Sequence, residues 1–498
     1  MAQLQKSNPN AIKLCSENLK IISQAAEVPQ YDRESIQCGI MHMSVGGFHR
    51  SHQAVYLDDV LATGQTDWAI CGVGLLPQDK EHIQALQDQD GLYTVLERNA
   101  QADTARVIGS MKEVLHAPSN PQAIIDRLMD SKIRILSLTI TEKGYCYDTS
   151  GNLDQSNQNI QSDLKNSGEP KTAYGYIIAA LKARMEQNMP PFTIMSCDNL
   201  PGNGDLTRKL VLQFADLVDS DLSAWIADQV SFPNAMVDRI TPVTTDEIVD
   251  LVRDKFLVDD GWPVVCEDYI QWVLEDKFGN GRPPLEKVGV QVVEDVEPYE
   301  KMKVRLLNGS HSALAYVSYL MGYRDVDKAM ADPLIAKFTR LYMDQDITPT
   351  VPDVPGVDLN TYKDKLIERF SNPAISDQVQ RLAEDGSVKI PNAILPCIAH
   401  QLESAGSIKF AVLALAGWFR YLTGVDEDLK PIEITDPRAD IMTAAIKVDP
   451  QDPKNILGIS EVFGTELPSN EAFVTELKST MDDIHALGTR QTLEKYTN

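Results

Sequence analysis

The sequence predicts an α/β protein, with a Rossmann-type parallel sheet and crossover helices over residues 1–294 and a mostly α-helical domain over 295–498. Three observations predict it. Short apolar runs at 40–45, 68–75, 133–140 and 192–196 read as strands and alternate with helical stretches. From about Lys301 the β-branched runs thin out, and helical patterns dominate through Leu487. A chain of 498 residues also exceeds what one compact core holds, so two large domains are expected.

Along the chain, a polar N-terminal arm precedes the first strand, which runs into Gly46-Gly47. Residues 52–62 follow with helical periodicity, Val55, Tyr56, Val60 and Leu61 being among the apolar positions. Residues 148–171, rich in Asn, Ser, Gln, Asp and Gly, read as a polar surface insertion. The strand at 192–196 leads into the loop Cys197-Asp198-Asn199-Leu200-Pro201-Gly202, at the strand end where parallel sheets place ligand contacts. The strand-like stretch 288–293 puts the domain boundary near Val293-Glu294. No internal repeat is present, which excludes solenoids and propellers.

Composition narrows the class further. Apolar residues make up 43% of the chain, enough for well-packed cores. Against 72 acidic residues stand 46 Lys and Arg, a formal charge of −26. Such a surface repels phosphate backbones and anionic membranes, and no basic run interleaved with aromatics offsets it. Neither nucleic acid nor a membrane is expected as a partner. No run approaches the roughly 20 apolar residues of a membrane span, and Met1 to Asn10 lack the apolar core of a secretory signal. A cytoplasmic protein is expected. The seven cysteines form no C-x-x-C pair, so neither a disulfide framework nor a zinc knuckle is indicated.

The stretch Met43 to Arg50 has the strand, glycine turn and helix start that favour a pyrophosphate. The first glycine of a G-x-G turn is replaced by Ser44, and a purely structural turn and a dinucleotide site stand side by side as readings. Arg50 would reach a phosphate or else lie on the surface. Asp79, after Gly72-Val73-Gly74-Leu75, would bond the adenosine ribose and disfavour NADP, or else serve as a helix N-terminal residue. His49 and His52 stand at i, i+3 with no third metal ligand, so surface or cap roles are expected of them.

The most informative stretch is KVRLLNGSHSAL, with Lys303-x4-Asn308-x2-His311. In a regular helix the three residues fan across one side, with His311 angularly between the other two, while Leu306 and Leu307 anchor the helix. Oxidising an alcohol carbon requires removal of the hydroxyl proton and stabilisation of the alkoxide. With no zinc site in the sequence, a desolvated lysine is the base if burial brings its pKa near neutrality. An asparagine amide N–H then holds the oxyanion. A solvated lysine beside two polar residues that satisfy the core is the alternative.

At these residues the sequence resembles the polyol-specific long-chain dehydrogenases, the mannitol dehydrogenase family, whose signature helix reads K-x4-N-x2-H. The resemblance spans nearly the whole chain through GGFHRSHQAVY (46–56), WAICGVGL (68–75), SLTITEKGY (137–145), SCDN (196–199), FPNAMVDRITP (232–242) and RFSNPAISDQ (369–378). It implies a metal-independent, NAD-dependent enzyme that interconverts D-mannitol and D-fructose, with a monomer as the expected state. It implies an NAD-binding domain over 1–294 and a substrate-binding and catalytic domain over 295–498. By matching position, Lys303 is the general base, Asn199 and Asn308 hold the substrate oxygen, and His311 bonds a substrate hydroxyl. Asp238, Arg381 and Lys389 bind further hydroxyls, unless Asp238 and Arg239 form a surface pair, and Glu300 serves proton exchange with solvent. Gly46, Gly47, Phe48, Arg50, Asp79, Thr141, Glu142 and Val237 are the implied cofactor contacts. D-Arabinitol, fructuronate or tagaturonate, and mannitol 1-phosphate are alternative substrates, and a non-catalytic sugar or dinucleotide sensor is the reading from another class. The family begins its cofactor turn with glycine, so Ser44, which tolerates positive φ poorly, is expected to alter the turn or weaken NAD binding.

Overall fold

A computed structural model describes residues 8–148, 150–375 and 377–498. Residues 1–7 of the N-terminal arm, Thr149 of the polar stretch and Ser376 of RFSNPAISDQ lie outside the described residues. The chain divides into two compact units, Met1–Val296 and Glu297–Asn498.

In the first unit, five strands pair in parallel: β1 (Cys38–Met43), β2 (Ala69–Gly74), β3 (Met111–His116), β4 (Ile135–Leu138) and β5 (Thr193–Ser196). Their order across the sheet is β3-β2-β1-β4-β5, that of a Rossmann-type fold, and it reverses beside β1. Alternate side chains feed two cores. Met41, Met43, Cys71, Val73, Leu136 and Leu138 pack with Ile124, Ile177 and Leu210 on one side. Ile40, Ile70 and Ile135 pack with Val55, Val60 and Ile83 on the other. Burial on both faces is why these strands read as unbroken apolar runs.

Smaller sheets flank this one. Tyr93–Arg98 pairs antiparallel with Asp103–Ile108 and parallel with Val264–Glu267. Ala235–Asp238 runs antiparallel to Gln271–Glu275, which pairs in parallel with Gln291–Val293. The polar stretch at 148–171 departs from a simple surface insertion: it contains the helix Gln158–Lys165, with Ile160 and Asp163 buried. Asp163 accepts the backbone N–H groups of Lys171 and Thr172 at 2.8 and 2.9 Å, which fastens the segment to the start of the helix Ala173–Glu186. A polar composition is there because a buried helix start needs acceptors.

Regular structure in the second unit is helical. Glu297–Met302 continues into a π-helical turn, Lys303–Asn308, and then into Gly309–Leu320. That last helix packs on Val379–Ala383 and on Lys409–Tyr421, which in turn packs on Glu471–Leu487. Residues 312–320 and 410–419 are buried all round, as helices that are apolar on every face must be.

Candidate active site

The strand order of the first unit reverses between β1 and β4, and the residues just past their C-terminal ends form a connected group. After β1 the chain turns through Ser44 at φ +75°, in the left-handed region that costs a serine strain. The conformation is held by bonds on the serine backbone. Ser44 N–H donates to the Val73 carbonyl (2.8 Å), and the Ser44 carbonyl accepts from Gly46 N–H (2.8 Å) and Thr139 Oγ1 (2.9 Å). His42 lies beneath, with Nδ1 2.8 Å from Ser137 Oγ and Nε2 2.9 Å from Thr139 Oγ1. Burial pulls its pKa down to about 3, so it is a neutral hydrogen-bonding ring. Nothing lies within 4 Å of where a Cβ on Gly46 would stand, and a short helix, Gly47–Ser51, begins at the next residue.

That helix corrects three expectations. His49 and His52 are buried, not surface or capping residues. His49 stacks on His42 with ring centres 3.3 Å apart, and burial, with His42 close by, holds its pKa well below the usual value. His52 bonds the Gln271 carbonyl at 2.8 Å and stacks on Phe48 at 4.9 Å. Arg50 does not lie on the surface: it is buried, its guanidinium sits 3.6 Å from the Trp262 ring centre, and it donates to the Trp262 carbonyl. The guanidinium is committed to packing this helix onto a segment more than two hundred residues away. After β2, Asp79 accepts the Leu76 N–H at 2.9 Å, the helix N-terminal role held open for it.

Past β4, Thr141 has φ +61°, an outlier for a β-branched residue. Strain of this kind collects at ligand sites and persists only when neighbours over-determine it. The neighbour here is Asp198, which accepts the N–H groups of Thr141 (2.8 Å) and Ile140 (3.0 Å) and the Tyr145 hydroxyl (2.7 Å). Burial pushes the Asp198 carboxyl upward. Glu142 accepts from Tyr147 at 2.8 Å, and Asn199 is exposed beside Asp198. Asn203 then stitches this loop to the strand carrying Val237 and Asp238. Its Nδ2 donates to the Asp198 and Ala235 carbonyls at 3.0 and 2.7 Å, and its Oδ1 accepts Ala235 N–H at 2.9 Å. Asp238 and Arg239 are both buried, which excludes a surface pair. Arg239 donates to the Ser51 carbonyl (2.6 Å), the Glu267 carbonyl and Glu97. Sequence reasoning missed Asp198 and Asn203. SCDN contained the first; the second answers to Ala235, 32 residues on, so no local pattern revealed it.

In the second unit, Lys303 is buried, and Asn308 and His311 are half-buried. The expected regular helix is replaced by the π turn. Gly309 N–H reaches Val304 O, five residues back instead of four. At 3.6 residues per turn the three signature residues would spread over about 140°. At about 4.4 per turn between Lys303 and Asn308, they fall within about 60°, with His311 beside Lys303. Leu306 and Leu307 are buried, as the anchoring role requires. The His311 ring stands 4.4 Å from Phe370. Val379–Ala383 and Gly386–Ala393, which carry Arg381 and Lys389, both pack on the signature helix. Arg381 forms a two-point ion pair with Asp377, and Lys389 Nζ donates to the Leu382 carbonyl at 3.3 Å. Burial lowers the pKa of Lys389. Glu300 is half-buried on the helix preceding Lys303.

A Rossmann-type sheet with a strained switch-point turn, joined to a helical unit bearing a buried lysine beside an amide and an imidazole, defines a two-domain dehydrogenase. The mannitol dehydrogenase Rossmann-domain model matches residues 38–287, and the C-terminal-domain model of the same family matches 295–485. Mannitol 2-dehydrogenase of Aspergillus fumigatus is 44% identical over 499 residues, covering 98% of this chain and 99% of its own. Mannitol dehydrogenase 2 of Saccharomyces cerevisiae is 43% identical over 482 residues, 96% of each chain. Among solved structures, the Pseudomonas fluorescens mannitol 2-dehydrogenase ternary complex with NAD and D-mannitol is 46% identical, with a TM-score of 0.87 over 97% of this chain and 99% of that one. A substrate-free D-sorbitol dehydrogenase is 36% identical, with a TM-score of 0.91 over 96% and 100%. The chain belongs to the mannitol dehydrogenase family.

Proposed function

We propose that this protein catalyses the NAD-dependent, reversible oxidation of D-mannitol to D-fructose, with Met1–Val296 serving the cofactor and Glu297–Asn498 supplying the base. The observation that carries the reading is Lys303, buried on a π turn and grouped with Asn308 and His311, in a chain 46% identical to an enzyme solved with NAD and D-mannitol.

The first unit fits a dinucleotide. A phosphate needs close backbone approach, and Gly46 leaves that space open beside the left-handed Ser44. Gly46, Gly47 and Phe48 would hold the pyrophosphate end, Asp79 the adenosine ribose, and Thr141, Glu142 and Val237 the nicotinamide side. Arg50 would act through the packing of its helix. NAD, when bound, supplies the hydride acceptor. Lys303 removes the proton from the substrate C2 hydroxyl, a step that requires the neutral amine. Asn199 and Asn308, by the family's motif, would donate amide N–H bonds to the developing oxyanion. His311 and Asp238 bond substrate hydroxyls, Arg381 and Lys389 bond hydroxyls further along the chain, and Glu300 passes the abstracted proton to solvent.

The test is NADH absorbance with mannitol, sorbitol and arabinitol, each with NAD and NADP. Mannitol with NAD is expected to turn over fastest, and Lys303→Ala to lower kcat by about 10²–10⁴-fold while NAD still binds. No turnover of any polyol, or a full rate in Lys303→Ala, would overturn the reading. The likeness to D-sorbitol dehydrogenase makes sorbitol the second substrate to separate.

A further inference from the structure

Two π-helical turns touch in the second unit, Lys303–Asn308 and Tyr342–Ile347. Such turns are rare inside α-helices and need a local cause. Each is closed by a bond five residues long, from Gly309 N–H to Val304 O and from Thr348 N–H to Met343 O. Where they meet, a Cβ on Gly309 would stand 2.8 Å from the Tyr342 hydroxyl, with the Ala393 and Val304 carbonyls at 3.6 and 3.7 Å. The Tyr342 ring is fully buried, and its hydroxyl has no hydrogen-bond partner among the described residues. A buried hydroxyl left unpaired is costly, so this one acts by shape. Further ties lace the same two segments. Tyr299 donates to the Pro355 carbonyl at 2.7 Å, and Arg305 to the Thr350 carbonyl. The second π turn is itself anchored by Asp346, which accepts Phe410 N–H (2.6 Å), Ala411 N–H (2.7 Å) and Ser407 Oγ (2.6 Å).

We propose that Tyr342 is a positioning residue. Its hydroxyl, wedged against the bare Cα of Gly309, holds the first π turn open at the residue that closes it, and so sets the arc on which Lys303, Asn308 and His311 stand. Without the wedge, the turn relaxes toward four-residue bonds and the three groups spread apart. The proposal rests on Lys303 being the base, as argued above.

The experiment is a size-exchange cycle on the full chain, read by mannitol oxidation with NAD. Gly309→Ala pushes a methyl into the hydroxyl and is expected to lower kcat at least tenfold, with KM for NAD unchanged. It also shifts the pH at which kcat rises, because the surroundings of the lysine change. Tyr342→Phe is expected to lower kcat about threefold. The double variant removes the hydroxyl that the methyl would meet, leaves the methyl as the wedge, and recovers at least threefold over Gly309→Ala, with its pH profile back toward that of the unmodified enzyme. A Gly309→Ala kcat within twofold of the unmodified enzyme, an unmoved pH profile, or a double variant no better than Gly309→Ala overturns the proposal. If Gly309→Ala does not fold, the double variant decides: folded and active supports the wedge, unfolded overturns it. A failed cycle in an enzyme that still needs Lys303 leaves the functional reading standing, whereas a full rate in Lys303→Ala removes both.

Discussion

Replacing Ser44 by glycine tests whether the cofactor turn carries strain. Ser44 sits at φ +75°, and the left-handed conformation costs an L-residue about 1–2 kcal/mol. Glycine removes that cost but adds about 0.5–1 kcal/mol of unfolded-state freedom. The four backbone bonds at this residue, to Val73, Gly46, Thr139 and His42, do not involve its side chain and survive the change. A net gain of about 0.5–1 kcal/mol follows. For a unit of this size that corresponds to a rise in Tm of about 1–4 °C. Thermal unfolding of Ser44→Gly beside the unmodified chain measures it, and KM for NAD is expected to stay within twofold because the turn keeps its geometry. An unchanged or lowered Tm would refute the strain argument. A large fall in KM for NAD would show instead that serine had bent the turn away from its binding shape.

Asp346 gives a pH signature. Burial pushes its pKa up to about 6, so its folded value lies above its unfolded one. Its contribution is therefore full below the unfolded value and is lost as pH rises from about 4 through about 6, by about 3 kcal/mol. Asparagine can accept from Phe410 and Ala411 and donate to Ser407, so Asp346→Asn should flatten that slope in urea unfolding between pH 4 and 7. Equal slopes in the two proteins would refute it. Gly204→Ala drives a methyl onto the Pro233 carbonyl and to 2.8 Å from Asn234 N, backbone that cannot swing aside. A loss of about 3 kcal/mol is expected, seen as a Tm lower by at least about 6 °C. Lys389→Ala removes one charged donor, worth about 1.5 kcal/mol, and should raise KM for mannitol about tenfold while KM for NAD holds; equal rises in both would point to misfolding.

Local patterns made the sheet legible. β1, β2, β4 and β5 each appeared as an apolar run within two residues of its observed ends, because burial on both faces demands it at every position. The helical second unit was legible from its periodicity, while the K-x4-N-x2-H spacing alone left a base and a solvated lysine side by side. The π turn was not. A four-residue and a five-residue hydrogen bond suit the same sequence locally, and the choice is made where Gly309 meets Tyr342, 33 positions away. The burial of His49, Arg50 and His52 was equally hidden. Three polar residues on a short segment look like a wet surface until the Trp262 carbonyl and Gln271 carbonyl come to meet them. Asp198 escaped for a related reason: its neighbour Asn199 carried the recognisable chemistry, while Asp198 holds the strained Thr141 backbone from 57 residues away.

The commitment of Arg50 to Trp262 and of His52 to Gln271 also fixes an order of events during synthesis. These contacts span 212 and 219 residues, so the helix after β1 is finished only when the ribosome has passed both partners. At about 5–20 residues per second, that wait is roughly 10–45 s. Throughout it the nascent chain carries a cation and imidazoles destined for burial but still solvated, with the first βα turn unsealed. The turn after the first strand is thus among the last parts of its own unit to close, although its residues are among the first translated.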